Sequence, residues 1–311
     1  MSHILGLLSA PWACLPEHHE MVYNLAEAWA RGERADLEAL KAGGNPLPGP
    51  SQGYEVRDGV AIIPVMGTLS PRVNLATNIS GGTSADLLAR DVRAAAADPG
   101  VAGIILQVDS PGGSVAGTQA AASAVMAARR MKPVATLAEG TIASAAYWIG
   151  SAGDQLFLSS GTDMAGSIGV RMIHRDMSRA EEAAGIKTTE IVAGRWKNVG
   201  SEHGPLTETG QQALQDRVDA IYRVFVGDVA NQRGRSTEQV LADMADGRVF
   251  VGQQAIDAGL ADGFASIDEL VEEVKDRAKK RTSNRSGYGI IKPSTPVVSM
   301  TSLSQYVNPS T

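Results

Sequence analysis

The chain has 311 residues, 43% hydrophobic and 20% charged, the make-up of an ordinary globular protein able to bury a substantial core in one domain or two. Its net charge of −6, with no basic block before residue 270, argues against nucleic acid as the main partner. A single cysteine, Cys14, excludes a disulfide framework and a cysteine-rich metal site, and the five histidines form neither HxxxH nor HExxH, which speaks against a zinc hydrolase.

The apolar run in MSHILGLLSAPWACLPEHHE has no Lys or Arg ahead of it and is broken by Ser9 and Pro11, so it does not read as a signal peptide. No run of eighteen apolar residues follows anywhere, and the chain reads as cytosolic and without a membrane anchor. Residues 20–42 have helical spacing, with Met21, Leu25 and Trp29 on one stripe, and GGNPLPGPSQG at 43–53 reads as a linker. Residues 1–53 are therefore expected to be a helical arm for docking or assembly.

From Tyr54 strands and helices alternate. VAIIPVMGTL predicts a strand, and SADLLARDVRAAAADPG a helix with Ser84 as N-cap and Asp98-Pro99-Gly100 as its stop. VAGIILQVD is continuously apolar, as a strand buried on both faces would be. An alanine-rich helix, SVAGTQAAASAVMAARRM, leads to the strand PVATLA and then to a short helix opening at Ser144. QLFLSS and SIGVRMI read as strands, 175–184 as a helix and KTTEIVA (187–193) as another strand. A long amphipathic helix is expected over 206–234, then a strand, turn and helix in RVFVGQQAIDAGLADGFAS. The alternation implies an α/β domain over 54–278 with a mostly parallel sheet flanked by helices. KKRTSNRSGYG and the residues after it lack period and packing potential, so 279–311 read as a disordered tail.

Four places could carry chemistry. DSPGGSV (109–115) follows the most buried strand, and the carboxyl ends of parallel strands are where ligands bind. Its adjacent glycines let a substrate approach bare backbone whose N–H groups could face a developing negative charge, although a plain strand-to-helix turn would use the same residues. Neither GxxxxGK[ST] nor GxGxxG is present, which disfavours a phosphate loop. Ser144, in ASAAYW, sits at a helix start after the next strand, with the Ala145 N–H as a second possible oxyanion donor. A serine hydroxyl needs a base. His174 is one option. A lysine is another, but its amine is neutral at pH 7 only in a dry, apolar surrounding. Lys197, in GRWKNVGS beside Trp196, is the lysine on offer, and Ser167, in AGSIGV, could orient an amine or merely satisfy a strand edge.

Taken together, DSPGGSV, ASAAYW, MAGSIGV, GRWKNVGS and GRVFVGQQAIDAGLADG, in this order between residues 55 and 275, resemble the signal-peptide-peptidase family of serine proteases, and in particular its phage capsid-assembly (head-maturation) branch. The resemblance implies a Clp protease/crotonase-like fold and a Ser-Lys dyad with no metal and no cofactor. Position by position it makes Ser144 the nucleophile, Lys197 the general base, Gly113 and Ala145 the oxyanion-hole donors, and Ser167 the residue that hydrogen-bonds the lysine. One departure is Ala145-Ala146, where many cellular members have two glycines; alanine keeps the N–H. The expected substrate is a protein or peptide, a capsid scaffold or portal protein in the host cytoplasm, and the expected assembly is a closed homo-oligomer. Rival readings are a membrane-associated signal peptide peptidase, a structural procapsid component with a vestigial site, a crotonase-like acyl-CoA enzyme, and a Ser-His-Asp hydrolase using His174.

Overall fold

The computed structural model describes residues 10–30, 53–72 and 82–287. Residues 31–52, which hold the rest of the expected arm and all of the expected 43–53 linker except Gly53, and the expected tail from 288 onward lie outside the described residues.

Pro11 and Pro16 bracket β1 (Trp12–Cys14), and Pro16 then opens α1 (Pro16–Ala30). Proline suits a first helical position, because the N–H it lacks would have no partner there. β2 (Glu55–Arg57) and β3 (Val60–Met66) form a hairpin through Asp58 and Gly59, both at positive φ. Next come β4 (Leu69–Ser70), β5 (Thr83–Ser84) and α2 (Ala85–Ala97). Ser84 caps α2 by accepting the Leu87 N–H at 3.4 Å, and Asp98 ends it, both as the sequence predicts. β6 (Gly103–Ser110) carries the apolar run, and β7 (Gly112–Ser114) follows it. DSPGGSV is therefore not a simple strand-to-helix turn: its glycines form a strand before α3 (Thr118–Met131) begins.

β8 (Val134–Ala143) is longer than the expected PVATLA and runs directly into Ser144 and α4 (Ala145–Gly150). β9 (Gln155–Leu158), β10 (Met164–Gly166), α5 (Ser178–Ala183) and α6 (Glu208–Arg233) follow. No strand forms at 187–193, contrary to expectation. β10 already pairs with β8 on one side and β11 on the other, and KTTEIVA joins neither sheet; its residues are exposed, and β-propensity without a packed face does not make a strand. After the short helix α7 (Thr237–Gln239) and a π turn come β11 (Val249–Val251), α8 (Gln253–Asp257), β12 (Gly263–Phe264) and α9 (Ile267–Gly287). α9 continues past the expected boundary at 278, so the start of the supposed tail is helical.

The larger sheet runs β11-β10-β8-β6-β3-β2, with β3, β6, β8 and β10 parallel and antiparallel strands at the two ends of that path. Its faces are filled by alternation along each strand. Ile63, Ile104 and Leu106 point to α2, α3, α4 and α6, while Val60, Ile62, Ile105 and Leu137 point to Leu270, Val271 and Val274 of α9. Both faces of β6 are thus covered, which is why its sequence is apolar without a break. The smaller sheet runs β1-β7-β4-β5.

β8 has two pairing partners on one side. Residues Ala135 to Ala138 pair with β9 and residues Thr141 to Ala143 with β10. Between the two stretches the register with β6 shifts, and Gly140 adopts φ 109°.

Candidate active site

Ser144 is placed by the end of β8. Ala143 pairs with Gly166 of β10, and the next residue turns sharply, with φ 55° and ψ −116°. Its N–H donates to Gly166 O at 2.7 Å, and its carbonyl accepts the Trp148 N–H at 2.9 Å, which starts α4. A non-glycine residue in this region costs on the order of 1–3 kcal/mol and persists only where the surroundings impose it. Four non-glycine residues have positive φ among those described, and two of them are Ser144 and Ser167. Both follow directly on the Ala143–Gly166 register pair, so the two serines leave adjacent strands side by side.

The helix behind Ser144 is pinned on all sides. Trp148 stacks on Phe225 with ring centroids 4.3 Å apart and donates from Nε1 to Asp228 Oδ2 at 2.9 Å. Tyr147 is fully buried and donates to Leu260 O at 3.0 Å, and burial raises its phenol above the ordinary range so that it stays neutral. Ser144 itself is 1% exposed, and its hydroxyl reaches Gly169 O at 3.4 Å.

The glycine strand lies against the same turn. A β-carbon on Gly112 would collide with the Ala13 carbonyl oxygen and stand 2.9 Å from Ala143 O and 3.0 Å from Ala145 N. A β-carbon on Gly113 would drive into the Leu69 backbone, with Leu69 N at 2.6 Å. Only glycine fits either position, so the bare backbone of β7 can approach the Ala145 N–H. That N–H sits in the first turn of α4, where no carbonyl within the helix can accept it.

Sequence reasoning missed the residues that hold this corner in place. Asp163, buried, accepts from Gly140 N (3.1 Å), from Ser159 N and Oγ (2.7 and 2.8 Å), and from Ser160 N and Oγ (both 2.8 Å). Asp109 Oδ1 accepts the Thr141 N–H at 3.0 Å. These two carboxylates fasten the irregular part of β8 three to four residues ahead of Ser144. The signal lay in SSGTD, where two serines precede an aspartate in a loop. Replacing Asp163 with alanine strands several donors, and we expect a loss of about 3 kcal/mol, read as a lowered urea midpoint.

The structure brings Ser144, Ser167, Gly113 and Ala145 together. It does not bring Lys197 to them. Lys197 lies on an exposed stretch, its N–H donates to Gly194 O at 3.1 Å, and among the described residues no hydrogen bond joins its side chain to Ser144 or Ser167. The dry surrounding that a lysine base requires is not formed there by a single chain. Ile191, 95% exposed, and Trp196, 53% exposed, lie on the same stretch. The two histidines near this region are engaged elsewhere: His174 Nε2 meets Ser201 O at 2.8 Å and His203 Nδ1 meets Glu181 Oε1 at 2.7 Å.

Residues 126–281, which include Ser144, Ser167 and Lys197, match peptidase family S49. The chain belongs to that family. The mostly parallel sheet with helices on both faces is accordingly the Clp protease/crotonase-like fold. Among curated S49-related proteins, the chain is 34% identical over 270 residues to the capsid assembly protease C of Escherichia phage lambda, covering 86% of this chain and 61% of that protein. It is 35% identical over 242 residues to the head-tail preconnector protein GP5 of Enterobacteria phage P21, covering 78% of this chain and 47% of that protein. A cellular relative, protease 4 of Salmonella typhi, is 29% identical over 221 residues, 71% of this chain and 35% of the relative. The chain thus spans about half to three-fifths of the two phage proteins. No helix among the described residues is long and apolar enough to cross a membrane.

Proposed function

We propose that this protein is a serine endopeptidase with a Ser144–Lys197 dyad, acting on procapsid proteins during phage head maturation in the host cytoplasm. The observation that carries the reading is the corner where β8 ends. There a strained, buried serine stands beside the Ala145 N–H and the glycine backbone of β7. The substrate class rests on the names of the two phage relatives.

In this mechanism the neutral Lys197 amine takes the Ser144 Oγ proton, and the oxygen attacks a peptide carbonyl carbon. The N–H groups of Gly113 and Ala145 hold the resulting oxyanion, each worth about 3 kcal/mol to the transition state when properly aimed. The ammonium then gives its proton to the leaving amine nitrogen, and the peptide C–N bond breaks. Water, deprotonated by the same amine, hydrolyses the acyl-enzyme and frees Ser144.

Lys197 reaches Ser144 only when its exposed stretch is covered. The side chains of Ile186, Ile191, Val192 and Trp196 supply an apolar surface for that closure, and assembly into a homo-oligomer would bury it. Activity per chain is therefore expected to fall on dilution, in step with dissociation followed by light scattering. Ser144→Ala and Lys197→Ala should each abolish cleavage of procapsid proteins, read by mass spectrometry, with an unchanged circular dichroism spectrum. His174→Ala should remain active. Loss of activity in the histidine variant with activity kept in Lys197→Ala would overturn the dyad.

A further inference from the structure

β1 is only three residues long, yet it reaches the backbone on either side of Ser144. It lies antiparallel to β7, with Trp12 opposite Ser114, Ala13 opposite Gly113 and Cys14 opposite Gly112. Leu15 N donates to Pro111 O at 3.0 Å and Val115 N to Pro11 O at 3.3 Å. Hydrogen-bonded pairs alternate along an antiparallel ladder, so Ala13 opposite Gly113 is such a pair and its carbonyl faces the Gly113 N–H. The intervening residue bonds the other way: Trp12 and Arg171 exchange both hydrogen bonds, each at 2.9 Å. The segment is therefore a strand laid between two backbone edges, β7 and the chain near Arg171. Extended peptides bind by such strand addition.

The position of Ala13 along that strand is telling. Its carbonyl oxygen shares one methyl-sized space with Ala145 N and Ala143 O, the atoms on either side of Ser144. Its side chain is fully buried, so the space accepts a small residue. The segment is latched from α1. Glu20 pairs with Arg171 at 3.0 Å and Arg175 at 3.8 Å, Arg175 lies 3.6 Å from the centre of the Tyr23 ring, and Trp12 stacks on His19 at 4.9 Å.

We propose that residues 11–15 occupy this protein's own peptide cleft, with the Ala13 carbonyl between the Gly113 and Ala145 N–H groups, and that another peptide enters only when this segment leaves. The inference rests on the peptidase reading, and it makes the N-terminal arm an internal ligand rather than only a docking element.

Cys14, the one cysteine of the sequence, reports the segment's departure without reference to catalysis. It is buried, and burial, with Glu17 adding and Arg171 opposing, pushes its thiol up to about 12, so it should alkylate slowly while β1 is docked. Two full-length variants release the strand by different routes: Ala13→Arg cannot fit the buried position, and Glu20→Lys sets like charges against Arg171 and Arg175. Alkylation of Cys14 by a maleimide, labelling of Ser144 by a fluorophosphonate and hydrolysis of a peptide with a small residue before the cut should all rise, by about tenfold or more, because the competent fraction sets each rate. In the parent, the synthetic peptide Ala-Pro-Trp-Ala-Ser-Leu-Pro should accelerate Cys14 alkylation by displacing the segment. Cleavage between Ala13 and Cys14, found in the parent and absent from Ser144→Ala, would equally support occupancy. Where the parent's Ser144 does take the probe, faster Cys14 alkylation with no gain at Ser144 overturns the proposal, as does unchanged alkylation in both variants with and without the peptide. If neither parent nor variants cleave any peptide or take the serine probe, the peptidase reading fails instead, and the Cys14 competition still decides occupancy.

Discussion

A Ser144→Gly variant is expected to be inactive and yet more stable than the parent. Activity falls because the attacking oxygen is gone; losses on the order of 10⁴ to 10⁶ are typical when a nucleophile is removed. Stability rises because φ 55° with ψ −116° suits glycine and strains serine. The hydroxyl gives little back, since its one hydrogen bond among the described residues, to Gly169 O, is 3.4 Å long. Relief of about 1 kcal/mol would raise Tm by roughly 2–4 °C in a domain of this size. Ser144→Ala should be as inactive with no gain, because alanine keeps the β-carbon and the strain. Paired melting curves and peptide assays test both halves. A glycine variant no more stable than the alanine variant would mean that the turn is not a store of strain, and a cleaving variant would remove Ser144 from the chemistry.

Gly113→Ala should damage fold and activity together. The added carbon collides with Leu69 of β4, so β7 and β4 must separate or β7 must retreat from Ala145. Overpacking of this kind costs about 1–3 kcal/mol. A displaced N–H also loses its aim at the oxyanion, where a single donor is worth about 10²–10³ in kcat. Denaturant midpoints and kcat on a soluble peptide would show the two losses. A variant with normal kcat would exclude the Gly113 N–H from the reaction.

Much of this arrangement could be read from the sequence, and the exceptions have physical reasons. The apolar runs of β3 and β6 and the Ser84 cap follow from local chemistry, and the structure carries them where expected. The helix opening at Ser144 was legible from a strand, a glycine and a run of small residues, but the strained backbone of Ser144 itself was not. KTTEIVA misled because β-propensity is local, while pairing and burial are decided by the whole sheet, and this segment joins none. β1 went unseen for the opposite reason: three residues between two prolines have no period, and their strand character comes wholly from β7 and Arg171. Asp163 was overlooked since its partners come from two separate parts of the chain, Gly140 of β8 and the turn at Ser159 and Ser160. Lys197 was located by pattern alone, and its exposure could not be read from GRWKNVGS.

The placement of β1 also bears on the order of events at the ribosome. Trp12 emerges well before the backbone that receives it, at Ser114 and Arg171, which is made on the order of ten seconds later at ordinary elongation speeds. This stretch therefore cannot settle until the parallel strands behind it have assembled. For that interval the nascent chain carries Trp12 and Cys14 uncovered, and chaperones or neighbouring nascent chains meet them before the finished groove does.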